Sequence, residues 1–335
     1  MINFNFKIYS YIFAFVVIIM EVEVSAQNSN CDYISSRYHY KVAQAEIFWL
    51  EESYKKCYSI LSDLDATCRL LNGNQIELYK FASSCLMHKN YAKASESIRF
   101  LIANYGYKLE NFISMRNFHK MEKNTNWKNI KNELLSLERN FVSDTMLYNE
   151  INQMLENDKY YRTNASMIRK IMKDSTVNID SLAKVYSLHL PLMSIGEVDS
   201  INYQKLLHII ETKGFPLSPS IKYHLRERQT IYAAFHVMLI HFSEDSAKVE
   251  HLKPILLQYI KQGDCPPELF AIMIDAYQAK NRQLSLYGVY SSPSPERVFE
   301  FKKLNERRKE IGLPDYELSR KIIAKKEALN KSAKK

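Results

Sequence analysis

Six side chains in the C-terminal half have types and spacings that could do chemistry: Asp158, Arg162, Asn202, His241, Asp275 and Tyr287. His241 would move a proton, and Asp158 or Asp275 would orient its ring. Arg162, Asn202 and Tyr287 would hold a ligand, the first two suiting an anionic or carbonyl group. Asp158 and Arg162 stand four apart and share a helical stripe with Ile151 and Leu155. They can pair directly, and they extend an apolar face, which points to partial burial. His236 and His241 both lie in the apolar run IYAAFHVMLIHF. Five residues is about 140° of helix, so the two rings do not face one metal. Asp275 falls between Ile272 and Ala279 on an otherwise apolar side and reads as a second buried carboxylate. The reading that follows puts Asp158, Arg162 and His241 in one inward-facing polar network, because a buried charge needs a partner. No Walker loop, serine elbow or HExxH zinc helix occurs. The sequence therefore gives no reason to expect a cofactor or a metal.

These residues must be positioned by helices. The chain has only seven glycines and nine prolines among 335 residues, and 46% of it is hydrophobic. Long periodic apolar runs with so few breakers predict an all-α protein. The central hairpin spans Asp199 to Phe242. Asp199 reads as a helix N-cap, and Leu206, Ile209 and Ile210 form an apolar face. Gly214 and Pro216 end the first helix, and a second runs from about Ile221 to Phe242. Upstream, a helix covers Asp144 to Arg162. Asn164 to Pro191 reads as helix, break and short helix, and Leu192 to Val198 as a linker. Downstream, Ser246 to Gln262 is helical despite Pro254, and Pro266-Pro267 opens another helix. Tyr287-Gly288 marks a tight turn. Phe301 to Ile311 makes a last short helix with a basic face, before a loosely held or disordered tail.

The N-terminal part shows internal repetition. Aligning Ala45 with Ala82, a shift of 37 residues, places Tyr54 on Tyr91 and Cys57 on Ala94. The short helix-turn-helix core of each unit resembles tetratricopeptide repeats, whose usual period is about 34 residues. Phe118 and Trp127 read as aromatic anchors closing the array, with Asn126 capping the helix that follows. At the start, Lys7, the apolar run Ile8 to Met20 and Val24-Ser25-Ala26 form a secretory signal cleaved before Gln27. The expected organisation is a signal peptide (1–26), a tetratricopeptide-like domain (27–142), a compact C-terminal helical domain (143–317) and a basic tail (318–335). The five cysteines, Cys31, Cys57, Cys68, Cys85 and Cys265, are too few for a cysteine scaffold and read as buried free thiols. The net charge of +9 is spread over many helix faces. No nucleic-acid-binding signature accompanies it, so nucleic acid is not the expected partner.

Much of the C-terminal half, about Ser143 to Pro314, resembles an uncharacterised bacterial family, domain of unknown function family 6624. The resemblance is carried by ordered elements. They are Asp158 with Arg162 in DKYYR, where Lys159 replaces a glutamine; Asp199 with Asn202; and the corner Gly214-Phe215-Pro216. They continue with His241 after an apolar helix, Tyr287-Gly288-Val289-Tyr290 without the usual Thr and Gln, and Arg307-Arg308 through Gly312-Leu313. The family supplies no activity to carry over. It implies an exported start and a repeat-like N-terminal part, as in Bacteroidetes proteins of this kind.

Two functions follow from the residues. The first is an exported, periplasmic or secreted helical protein that binds a peptide or protein partner on a concave helical surface. It would have no stable membrane span once its signal is cleaved. The second is a hydrolase-like or other acid–base enzyme built on the His, Asp, Asn and Arg cluster. The sequence sets no oligomeric state.

Overall fold

The computed structural model describes residues 31–68, 70, 75–173, 194–290 and 294–332. The signal sequence expected over 1–26, and most of the break and short helix expected between Asn164 and Pro191, lie outside them. The described residues form an all-α fold whose only β pairing is an isolated bridge between Ser285 and Val298. No helix among them is long and apolar enough to cross a membrane.

The N-terminal unit begins with two antiparallel pairs. Helix α1 (Tyr38–Leu50) packs on α2 (Tyr54–Cys68), and α3 (Gln75–Met87) on α4 (Tyr91–Tyr105). The small residues at the aligned positions, Ala45, Cys57, Ala82 and Ala94, are all buried. Their size lets the paired backbones approach. Three further helices, α5 (Glu110–Ile113), α6 (Phe118–Asn124) and α7 (Trp127–Asn140), close the end of this stack. Phe118 meets Trp127 edge to face at 5.2 Å, as an anchor pair would. Asn126 precedes α7 but makes no side-chain cap bond.

The C-terminal unit has its own core. It is built on α8 (Thr145–Lys173), α9 (Ile195–Lys213), α10 (Leu225–Phe242), α11 (Ser246–Gln262) and α12 (Pro267–Lys280). Helix α10 lies at its centre and packs against α8, α9 and α12. That central place explains why its second half is nearly all apolar. The short α13 (Leu304–Glu310) follows, then α14 (Tyr316–Ser332).

Several boundaries differ from expectation. Helix α8 continues past Arg162 to Lys173. Helix α9 starts at Ile195, inside the expected linker, because Ser194 and Glu197 form a capping box. Asp199 is therefore not a cap but an interior helical residue, and its carboxylate is free to reach another helix. Helix α10 begins at Leu225, four residues later than expected, with Glu227 accepting from the His224 amide. Arg308 on α13 is buried, so it does not belong to an exposed basic face. The basic tail is helical through Ser332 and lies on α1.

The cysteines divide. Cys57, Cys85 and Cys265 are buried and free, as read from the sequence. Cys31 and Cys68 correct that reading by forming a disulfide across a separation of 37 residues.

The two units are tied to each other. The Tyr33 amide donates to the Lys261 carbonyl. The Tyr33 ring lies so close to Gly263 that a Cβ there would come within 2.6 Å of it. Gly263, at a φ of 84°, ends α11, so both its conformation and its lack of a side chain are used. Arg228 of α10 stacks over the Tyr105 ring of α4 at 4.8 Å. This contact crosses between the units as a cation–π pair.

Candidate functional site

Three helices bring a polar network together at one seam of the C-terminal unit. Asp158 projects from α8 and is 2% exposed. One turn on, Arg162 Nε donates to Asp158 Oδ1 at 2.9 Å. Arg162 Nη2 reaches across to Asp199 Oδ1 of α9 at 2.5 Å. From the last turn of α10, His241 Nδ1 stands 3.1 Å from Asp158 Oδ1. An ionised carboxylate only accepts, so Nδ1 carries the hydrogen and donates. Asn202, one turn beyond Asp199, is buried and donates from Nδ2 to the Met154 carbonyl.

Electrostatics follow from these contacts. Burial pushes the Asp158 carboxyl up, but hydrogen bonds and charge from His241 and Arg162 outweigh it and hold its pKa below the usual range. Burial disfavours charge on Arg162, but the two aspartates prevail and raise its pKa. Asp158, Asp199 and His241 each offer a ligand atom, all within 4.8 Å of one another. The guanidinium of Arg162 already sits on both carboxylates, so a cation would have to displace it.

Of the six residues singled out by sequence, Asp158, Arg162, Asn202 and His241 meet here. Asp275 and Tyr287 do not join them. They form a second structure in which Asp275, 1% exposed, ties down the loop after α12. Its Oδ1 accepts from the amides of Leu286 and Tyr287 at 2.8 and 2.9 Å. Its Oδ2 accepts from Val289 and Tyr290 at 2.8 and 3.4 Å. Arg308 grips the same loop, donating to the Tyr287 and Pro314 carbonyls and to Ser319 Oγ. Arg307 Nε donates to the Leu286 carbonyl. All four acceptor contacts of Asp275 go to backbone amides, so its carboxylate clamps the loop.

A cleft of about 670 Å³ opens where α1, α3 and α14 face the start of α10 and the turn after α11. None of the six sequence candidates lines it. Its walls include Val42, Ile76, Leu217, Leu313, Ile322 and Ile323, with Gln75, Arg228, Asp264 and Glu268 among them. Arg228 is held by three carbonyls. Nη1 donates to Leu217, and Nη2 donates to Ser218 and Ile221. Burial lowers its pKa and raises those of Asp264 and Glu268, although Ser218 and Arg228 pull back on Asp264. Helix α14 supplies one wall and has no buried residue. It is pinned to α1 by Lys321 and Lys325 on Glu51 and by Lys326 on Glu46.

Sequence reasoning missed Asp199 as an ion-pair partner and the cleft as a site. Asp199 had a signal, since it precedes Asn202 at helical spacing, but its carboxylate near a helix start reads first as a cap. The cleft had none, because it is assembled from stretches far apart in the chain. No family model, no curated protein and no solved structure matches the chain.

Proposed function

We propose that this is an exported helical-repeat-like protein that binds a peptide or protein partner in the cell envelope. One observation carries the reading: the described structure keeps a cleft of about 670 Å³ between its two helical units. That volume falls in the range of about 300–1,000 Å³ usual for ligand sites. Paired helices stacked side by side present such grooves to extended partners, and the likeness to tetratricopeptide repeats supports that use. The Cys31–Cys68 disulfide supports an oxidising compartment, in keeping with the exported start read from the sequence. The likeness to domain of unknown function family 6624, read from the sequence of the C-terminal half, adds no activity.

The acid–base alternative has less support. His241 donates to Asp158, as a catalytic histidine would to its orienting carboxylate. Among the described residues, however, no serine, threonine or cysteine side chain bonds its other ring nitrogen. Arg162 and its two aspartates satisfy one another. The cluster serves best as a stitch between α8, α9 and α10.

The test has two parts. The protein recovered from native cells should lack residues 1–26 by intact mass and fractionate with the envelope or the medium. The purified mature chain should retain short peptides from an immobilised array. A cytoplasmic protein with Met1 retained, or an array with no peptide captured, would sink the reading.

A further inference from the structure

Five side-chain polar atoms among the described residues are sealed from solvent and meet no partner in the protein; a sixth, Arg99 Nε, faces the Glu133 carboxylate at 2.6 Å. Three of them belong to residues of the same cleft: His39 Nε2, Gln75 Oε1 and Arg228 Nε. Gln75 is 3% exposed and Arg228 is 9% exposed. Arg228 cannot easily turn to find a partner, because its other nitrogens are fixed on the carbonyls of Leu217, Ser218 and Ile221. Buried polar groups are normally paired, so three unmet ones around a single cavity call for an explanation.

Their chemistry is mixed. Gln75 Oε1 only accepts and Arg228 Nε only donates. Burial pulls His39 down to about 4, so near neutral pH its ring is uncharged and Nε2 takes either role according to its tautomer. An anion would want donors all round, and a cation would want acceptors. A peptide group offers one N–H and one C=O, which matches the pair.

The charges around the cleft also leave no strong demand for an ion. Glu46 pairs with Lys80 and Lys326, Glu77 accepts from the Tyr38 hydroxyl, and Asp264 accepts from Ser218. Arg228 and Arg308 are spent on carbonyl and hydroxyl oxygens. Burial raises the pKa of Glu268, and Arg320 is exposed at the edge. The rest of the wall joins aliphatic side chains, among them Val42, Ile76, Leu313 and Ile323, to the rings of Tyr232 and Tyr316.

We propose that this cleft is a binding site for an uncharged, apolar peptide segment, whose main-chain N–H and C=O meet Gln75 Oε1 and Arg228 Nε while its side chains lie on that wall. The proposal rests on the reading of the protein as a peptide or protein binder and names the site and the ligand class. Because the unmet atoms are closed to water, the segment enters as the cleft opens. Helix α14 is the wall that buries no residue; ion pairs to α1 and hydrogen bonds with Asn305 and Arg308 at its first turn hold it.

The test uses the full mature chain and short fluorescent peptides with blocked ends. One is wholly aliphatic, one carries a central lysine and one a central aspartate. Anisotropy should show the aliphatic peptide binding at least about tenfold more tightly than either charged one, because burying an unpaired charge costs at least that much. Gln75→Leu should weaken the aliphatic peptide by about tenfold while its thermal midpoint holds or rises, since an unmet acceptor is removed. Ile76 is 47% exposed at the rim, so Ile76→Arg should fold normally and still block entry. If Gln75→Leu fails to fold, Ile76→Arg decides alone. Equal binding by wild type and Ile76→Arg overturns the site but leaves the binding function standing. Preference for a charged peptide overturns the ligand class. No binding of any peptide by the wild type overturns both this proposal and the reading beneath it.

Discussion

The seam between α8, α9 and α10 and the cleft beside α1 treat buried polarity in opposite ways. At the seam, Arg162 answers both Asp158 and Asp199, and His241 completes Asp158. In the cleft, His39, Gln75 and Arg228 each keep an atom unanswered. The first arrangement is what a fold needs to hold itself together. The second costs stability, about 1–3 kcal/mol for each unmet group, a cost that the proposed peptide would offset. Titratable residues at helical spacing thus led to the stitching, while the cleft came from tertiary assembly.

The contrast can be broken most forcefully at the clamps. Asp275→Ala strips four backbone amides of their acceptor, so unfolding free energy in urea should fall by at least about 4 kcal/mol. A loss under about 1 kcal/mol would mean the loop is held without it and would free Asp275 for another role.

Asp158→Ala comes next, at about 3–5 kcal/mol, because it leaves Arg162 and His241 facing a lost charge. Adding Arg162→Ala should cost less than the sum of the singles, the mark of a shared network. Strict additivity would dissolve the stitch. The Asp158 carboxyl is held below its ordinary 3.8, so its contribution is full above that pH and is lost as pH falls through the folded value. Asp158→Asn should flatten that acid limb.

A smaller effect belongs to the cleft. His39 titrates at about 4 in the fold against 6.5 when unperturbed. The unfolded chain therefore takes up its proton first, and stability should decline as pH drops from about 6.5 to about 4. His39→Phe should remove that part of the slope while leaving stability at pH 8 nearly unchanged. An unaltered slope would show that His39 already has a partner or access to solvent.

How much of this was readable in advance depends on the range of the interaction. Local patterns carried the helices: apolar periodicity, Gly263 ending α11, Pro267 opening α12. The Asp158–Arg162 pair was also local, four residues apart, and His241 followed because a polar ring in an apolar run needs a partner. Asp199 was misread since capping is the commoner use of such a carboxylate, and the capping box at Ser194 and Glu197 went unrecognised. Asp275 was read as buried, yet its partners are amides, which sequence does not display. Cys31 and Cys68 gave no pairing signal among five cysteines. The cleft draws on α1, α3, α14 and two turns, and no spacing rule links them.

The central claim is that ligand engages the cleft and not the His241 seam. Hydrogen–deuterium exchange on the full mature chain, with and without a saturating aliphatic peptide, tests it most directly. The account predicts new protection in residues 75–80, 217–229 and 313–323, with 158–162, 199–202 and 241 unchanged. Protection confined to the second set would contradict it.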